Sequence, residues 1–161
     1  MAMVGGSKKI TKTGGEDMKK YYIEAVAFCS WVEQISSVSA ENATEIILKL
    51  MKMYELSSSL TLPTTTEDHE IKYEQVVLPF TVTQSDVYWE IFDPHICDEP
   101  VCGSLTDDIN SIYNDIRKGI LSNEAGYLMD AQWEWKWNFE NHWRYHAVDA
   151  IRALNSLKGS E

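Results

Sequence analysis

The chain is short of positive charge, cysteine and long apolar runs, and each shortage excludes something. Fourteen Lys and Arg stand against twenty-five Asp and Glu, a formal net charge of −11. Phosphate backbones attract basic surfaces, so no nucleic-acid partner is expected. An anionic lipid surface is disfavoured on the same ground. No stretch approaches ~18 uncharged apolar residues, so no membrane span is expected either. The three cysteines, Cys29, Cys97 and Cys102, are odd in number and widely spaced, unlike a secreted disulfide framework. Reduced thiols and a cytoplasmic location follow as the expectation. Lys8, Lys9 and Lys12 are followed by no apolar run, which argues against a secretory signal. Gly5, Gly6, Gly14 and Gly15 make residues 1–17 read as a flexible leader.

What remains suits a single helical domain over residues 18–158. A chain of 161 residues matches one domain and buries roughly two-thirds of its unfolded surface. From Asp17 to Ser36, Tyr22, Ala25, Val26, Cys29, Val32 and Ile35 recur at helical spacing. Ser39 reads as the N-cap of a second helix reaching about Ser58, with Ala43, Ile46, Ile47, Leu50, Met53 and Tyr54 on one face. Pro63 and its threonines make a loop. Residues 67–79 read as a short helix or a short strand, with helix favoured, and 84–92 as another short helix ended by Pro94. Residues 93–103, with Pro94, Pro100 and Gly103, read as an irregular but ordered loop. Ser104 with Asp107 three residues on starts the next helix in the manner of a capping box. From Ala125 to about Leu157 there is no proline, and after Gly126 no glycine, which predicts one helix of about 30 residues, ~45–50 Å long. Its apolar stripe is Leu128, Gln132, Trp135, Phe139, His142, Trp143, His146, Ala150 and Leu154. The fold expected is all-α, a bundle of five or six helices with this long C-terminal helix as its spine.

Few constellations carry chemistry. His142 and His146 stand four apart, which puts two imidazoles on one helix face, where they could share a metal with nearby carboxylates. No Glu-x-x-His repeat or His-Glu-x-x-His accompanies them. The reading preferred from sequence is therefore two rings packed, at least partly buried, among aromatics, with no metal and no cofactor. His95, Cys97 and Cys102 offer soft ligands, but the Cys-x4-Cys spacing is loose and solitary. Asp93, Asp98, Glu99, Asp107 and Asp108 are dense; turn and helix-start roles account for Asp93, Asp107 and Asp108. There is no phosphate loop, nucleophile elbow or dinucleotide fingerprint. Trp133, Trp135, Trp137 and Trp143 alternate between faces of the long helix, more rings than one small core can bury. Exposed aromatics rimmed by charge mark binding surfaces. Trp133 and Trp137, with Asp93, Asp98 and Glu99, are accordingly the candidate binding residues, and Trp135 and Trp143 the candidate core.

Two stretches carry a family resemblance. One runs Phe92-Asp93-Pro94, then Asp98-Glu99-Pro100-Val101, Gly103 to Asp108, and Ile112-Tyr113-Asn114-Asp115; the other is Trp143 to Leu154. On these the chain resembles a bacterial family catalogued as domain of unknown function 5063, over about Lys19 to Lys158. The resemblance implies no established activity and carries over no catalytic residue. The reading is a protein-interaction or adaptor module, binding an unknown protein partner or itself. The alternatives are a metal-binding protein or enzyme using His142 and His146, and an acidic immunity-type protein that neutralises a basic toxin.

Overall fold

A computed structural model describes residues 13–157. The leader expected over 1–17 lies outside the described residues as far as 12. The first helix, α1 (Thr13–Val32), turns Tyr21, Ala25, Phe28, Cys29 and Val32 inward. The second, α2 (Ala43–Ser59), buries Ala43, Ile46, Leu50, Met53 and Ser57, again in steps of three and four. Its N-cap position is Asn42 rather than Ser39. The Asn42 amide accepts from Ser39 N at 2.9 Å and donates to Ser37 O at 2.7 Å, so the turn before the helix uses up the capping groups.

The chain then runs without helix as far as Phe80, including residues 67–79, where the sequence predicts a helix in preference to a strand. Burial alternates along it: Leu78 and Phe80 are buried, Val76 is half-buried, and Val77 and Pro79 are exposed. That is the period of a strand. The backbone finds its partners on the third helix, α3 (Leu105–Glu124). Leu78 N donates to Asn110 Oδ1 and Val76 N to Asn114 Oδ1, both at 2.8 Å, and Asn114 Nδ2 donates to Val76 O at 2.9 Å. Two side-chain amides one helical turn apart thus replace the hydrogen bonds a helix would have made internally. This strap ends in β2 (Thr81–Val82), which pairs parallel with β1 (Ser37–Val38).

The short helix expected over 84–92 is instead a strand, β3 (Val87–Glu90), and the end of the expected loop is β4 (Val101–Ser104). They pair antiparallel, with Tyr88 opposite Gly103 and Glu90 opposite Val101. Val-Tyr-Trp is β-favouring, and its exposure alternates. Gly103 is required by the close approach of the Tyr88 ring, into which a Cβ would run.

Ser104 caps α3 as expected, accepting from Asp107 N at 3.1 Å. Leu105, Ile109, Ile112, Ile116 and Ile120 form the buried face of this helix. The expected C-terminal helix comprises α4 (Leu128–Asn138), a five-residue π-helical turn (Phe139–Trp143) and α5 (Arg144–Asn155). Its buried residues Ala131, Trp135, Phe139, Trp143 and Ala147 fall at steps of four. In a uniform α-helix of 3.6 residues per turn such a stripe would drift around the axis by ~40° per step. A wider π turn takes up the drift and keeps all five residues on the core.

Counting the long helix once, four helices and two small strand pairs make the fold. It is mostly helical, but neither purely α nor built of five or six helices. The long helix packs on α2 and α3, and α3 on α1. Trp135 and Trp143 are fully buried at the centre. Gly119 on α3 leaves the space for the Trp135 indole, whose Nε1 donates to Ile116 O at 2.9 Å.

Candidate functional site

The start of α3, the β3–β4 hairpin and the π turn with α5 enclose a cleft of about 700 Å³. Val87, Ile91, Phe92 and Tyr145 supply its apolar lining, and Glu90, Asp107, Asp108, His142, His146 and Asp149 its polar lining. No Lys or Arg lines it.

Two carboxylates from α3 each hold one imidazole of the long helix. Asp115 Oδ2 lies 2.7 Å from His142 Nδ1, and Asp108 Oδ1 lies 2.8 Å from His146 Nδ1. Asp108 and Asp115 are seven residues apart, two turns of α3, in the register of Leu105 and Ile112. With each Nδ1 committed to a carboxylate, the free nitrogens turn toward one another, and the two Nε2 atoms are 3.3 Å apart. The ring planes are inclined at 79°. Tyr88, reaching in from β3, donates its hydroxyl to the second oxygen of Asp108.

The electrostatics follow from this crowding. Burial pushes the Asp108 carboxyl up, against the opposing pull of His146 and Tyr88. Burial likewise raises Asp115, against His142. His146 is raised in turn, chiefly by its hydrogen bond to Asp108 and in spite of its own burial. At the mouth of the cleft Glu90 is pushed up to about 7, by burial and then by its hydrogen bond with the Asp149 carboxyl. Glu90 stands on β3 and Asp149 on α5, so this contact links the hairpin to the long helix.

The placement of the sequence candidates is mixed. The two rings are expected to be at least partly buried; His146 is half-buried, while His142 is exposed, with half of its side chain accessible. The helical wheel behind that expectation ran straight through the π turn. Leu128, placed on the same stripe, is also exposed. Asp93, Asp98 and Glu99 lie in the hairpin loop, away from the imidazoles. There Asp93 accepts from His95 N at 2.9 Å and Asp98 from Glu99 N at 2.8 Å, so both organise their own turn. Trp133 and Trp137 stack at 5.3 Å on α4, with Trp137 exposed. Cys97 and Cys102 are exposed free thiols, of which Cys102 lines the cleft. From sequence, Tyr88, Glu90 and Asp115 have no role in a site, Asp149 is only a carboxylate near the two histidines, and Asp108 is a helix-start charge. The one available signal was a carboxylate at 108 and at 115 in phase with an apolar helix face.

The two stretches on which the family resemblance rests supply part of the cleft, with Phe92, Gly103, Ser104, Asp107 and Asp108 from one and Tyr145, His146 and Asp149 from the other; His142 and β3 lie outside them. The family model described as domain of unknown function (DUF5063) matches residues 16–160. The chain belongs to this family. No curated protein and no solved structure matches it. Membership of DUF5063 therefore brings no activity with it, and the chemistry of the cleft has to be argued from its own residues. Among the described residues no helix is long and apolar enough to cross a membrane.

Proposed function

We propose that this protein binds a small organic molecule in the cleft between the hairpin and α5, and that the cleft is equipped for acid–base chemistry. The observation that carries the reading is the convergence of two Asp–His pairs, from two separate sequence stretches, on one cavity. A carboxylate on Nδ1 fixes the tautomer and orientation of an imidazole and leaves Nε2 to take or give a proton. The ligand class follows from the lining. Four carboxyl groups with no Lys or Arg repel anions, so phosphates and carboxylic acids are poor candidates. An uncharged or cationic molecule with an apolar body against Ile91, Phe92 and Tyr145 is complementary.

The test is an NMR titration of the full chain with matched sets of small amines, amides, carboxylates and phosphates. Amines or amides should shift the amides of Val87, Phe92 and Tyr145 and the ring signals of both histidines. The H146A variant should lose that response. Equal response to the anionic compounds, or perturbation only outside the cleft, would count against the proposal.

An interaction surface remains the second reading, favoured by one observation: Trp133 and Trp137 form a stacked aromatic pair at the surface of α4. Nothing comparable supports an immunity-type role, which rests on size and charge alone.

A further inference from the structure

The two imidazoles do more than flank the cleft. The geometry points to a transition-metal site at which His142 Nε2 and His146 Nε2 bind one dication, of the zinc, cobalt or nickel class. This inference rests on the reading of the cleft as the functional site.

Four features argue for it. The first is the disposition of lone pairs. When Asp115 and Asp108 each accept a hydrogen bond from Nδ1 of a neutral ring, both Nε2 atoms carry lone pairs aimed into the same 3.3 Å gap, an arrangement that a cation held between them satisfies. The second is distance. N–H donors usually stand 2.7–3.2 Å from their acceptors, so a single proton shared between the rings would make a long hydrogen bond. A metal held at about 2.1 Å from each nitrogen subtends an angle of about 104° across that gap, between the octahedral and tetrahedral values. The third is the second layer of partners. Metal-binding histidines ordinarily donate their other nitrogen to a carboxylate, which fixes the ring and raises its basicity, and both rings here do so. The fourth is charge. Glu90, Asp107, Asp108 and Asp149 line the cleft and Asp115 lies behind His142, with no Lys or Arg lining the cavity to match them.

Asp107 lies beside His146, in a cluster that does not include His142, and becomes a third ligand only by swinging toward the pair. Asp107, Asp108 and His146 each bring a ligand atom to within 4.8 Å of the others. The Asp107 carboxylate is exposed and makes no hydrogen bond among the described residues, so it is free to swing. His142, His146 and Asp107 all line the cavity, so a metal held by them would be open to a ligand, as in a site that works on a ligand rather than one that only holds a fold together. Imidazole with carboxylate suits zinc and its neighbours; magnesium and calcium prefer oxygen ligands alone. Asp108 and Asp115 act as positioning residues.

A second acid–imidazole cluster, Glu67, His69 and Asp130, provides the internal control. There Asp130 already accepts from Glu67 N, His69 N and His69 Nδ1 at 2.8–3.1 Å, which leaves little of it for a metal.

The experiment is titration of chelator-treated full-length protein with Co(II) and Zn(II), followed by calorimetry and by the visible spectrum of the cobalt form. One equivalent should bind, with a cobalt spectrum characteristic of nitrogen and oxygen ligands. H142A and H146A should each weaken binding at least ~100-fold, and D115N ~10–100-fold, with thermal melts confirming that each variant folds. His142 is exposed, so H142A is the variant least open to a folding artefact. H69A should bind as the wild type does. Absence of saturable binding, or binding lost in H69A and kept in H142A, overturns the inference. Response of the cleft to amines in metal-free protein, without metal binding, would overturn the metal site and leave the small-molecule reading standing.

Discussion

At the scale of single residues, a side chain in this protein often serves two partners, and the sequence discloses only one of them. Ser104 was legible as a cap because Ser followed three residues later by Asp has a local meaning. Its second bond was not, because Asp86, which accepts from Ser104 Oγ at 2.7 Å, is eighteen residues earlier. Asp86 also receives Thr106 N at 2.7 Å. Burial pushes the Asp86 carboxyl up, but the bonds from Thr106 and Ser104 outweigh it and hold it below the ordinary range. S104A should therefore cost more than a lone surface cap, about 1–2 kcal/mol in urea unfolding. A loss under ~0.3 kcal/mol would mean that the cap and the Asp86 bond contribute nothing. Asp108 shows the same limit more sharply. At the fourth position of a helix, still in its first turn, an aspartate has an adequate local explanation in the helix dipole. Its engagement with His146, thirty-eight residues away, exists only once α3 and the long helix pack.

At the scale of elements, the long periodic helices were legible and the extended pieces were not. The periodicity of α2 and α3 runs through several turns, so a misplaced residue does little harm. The strap and hairpin are short, and their alternation spans only a few residues, as in Val76 to Phe80 and Val87 to Glu90. Nor could the sequence show that Asn110 and Asn114 would supply backbone partners. The strap has a second fastening at Asp130, in a helix otherwise read as apolar and aromatic. Burial acts to raise the Asp130 carboxyl. The backbone N–H groups of Glu67 and His69, with the His69 ring, outweigh it and hold it below the ordinary value. A depressed carboxylate contributes stability that is complete above its unfolded value, near ~3.9, and is lost as pH falls through the lower folded value. Acid should thus release the strap at this end. The amides of Glu67 and His69 should gain exchange rate, relative to the Asn110–Leu78 fastening, as pH falls below ~4. Corrected for the intrinsic pH dependence of exchange, equal protection at both fastenings would show that Asp130 does not hold the strap.

At the scale of the whole molecule, the long helix decides between a domain closed on itself and one with a surface to offer. The sequence carried much of this, since rings at 133, 135, 137 and 143 cannot share one side of a helix. Trp135 and Trp143 are fully buried, against Tyr21 at 4.7 Å and Phe139 at 4.9 Å respectively. Truncating either leaves a large cavity at the meeting of helices, so W135A and W143A should each cost about 3–5 kcal/mol. W135A also removes the indole hydrogen bond to the Ile116 carbonyl, which keeps its own donor within α3. Trp137 is 41% exposed and stacks on Trp133. Its stacking contributes ~0.5–1.5 kcal/mol beyond the area it buries, so W137A should destabilise clearly less than W135A or W143A. An exposed stacked pair is large, rigid and amphipathic, the kind of residue on which protein contacts depend. If the pair is a contact surface, W137A should weaken self-association or partner capture while the melt stays nearly wild type. Sedimentation of the four proteins across a concentration series, beside urea unfolding, reads both quantities. Equal large losses of stability at 135, 137 and 143 would mean the helix is enclosed on every side. Unchanged sedimentation in W137A, with stability retained, would remove self-association and leave the cleft as the site at which this protein meets other molecules.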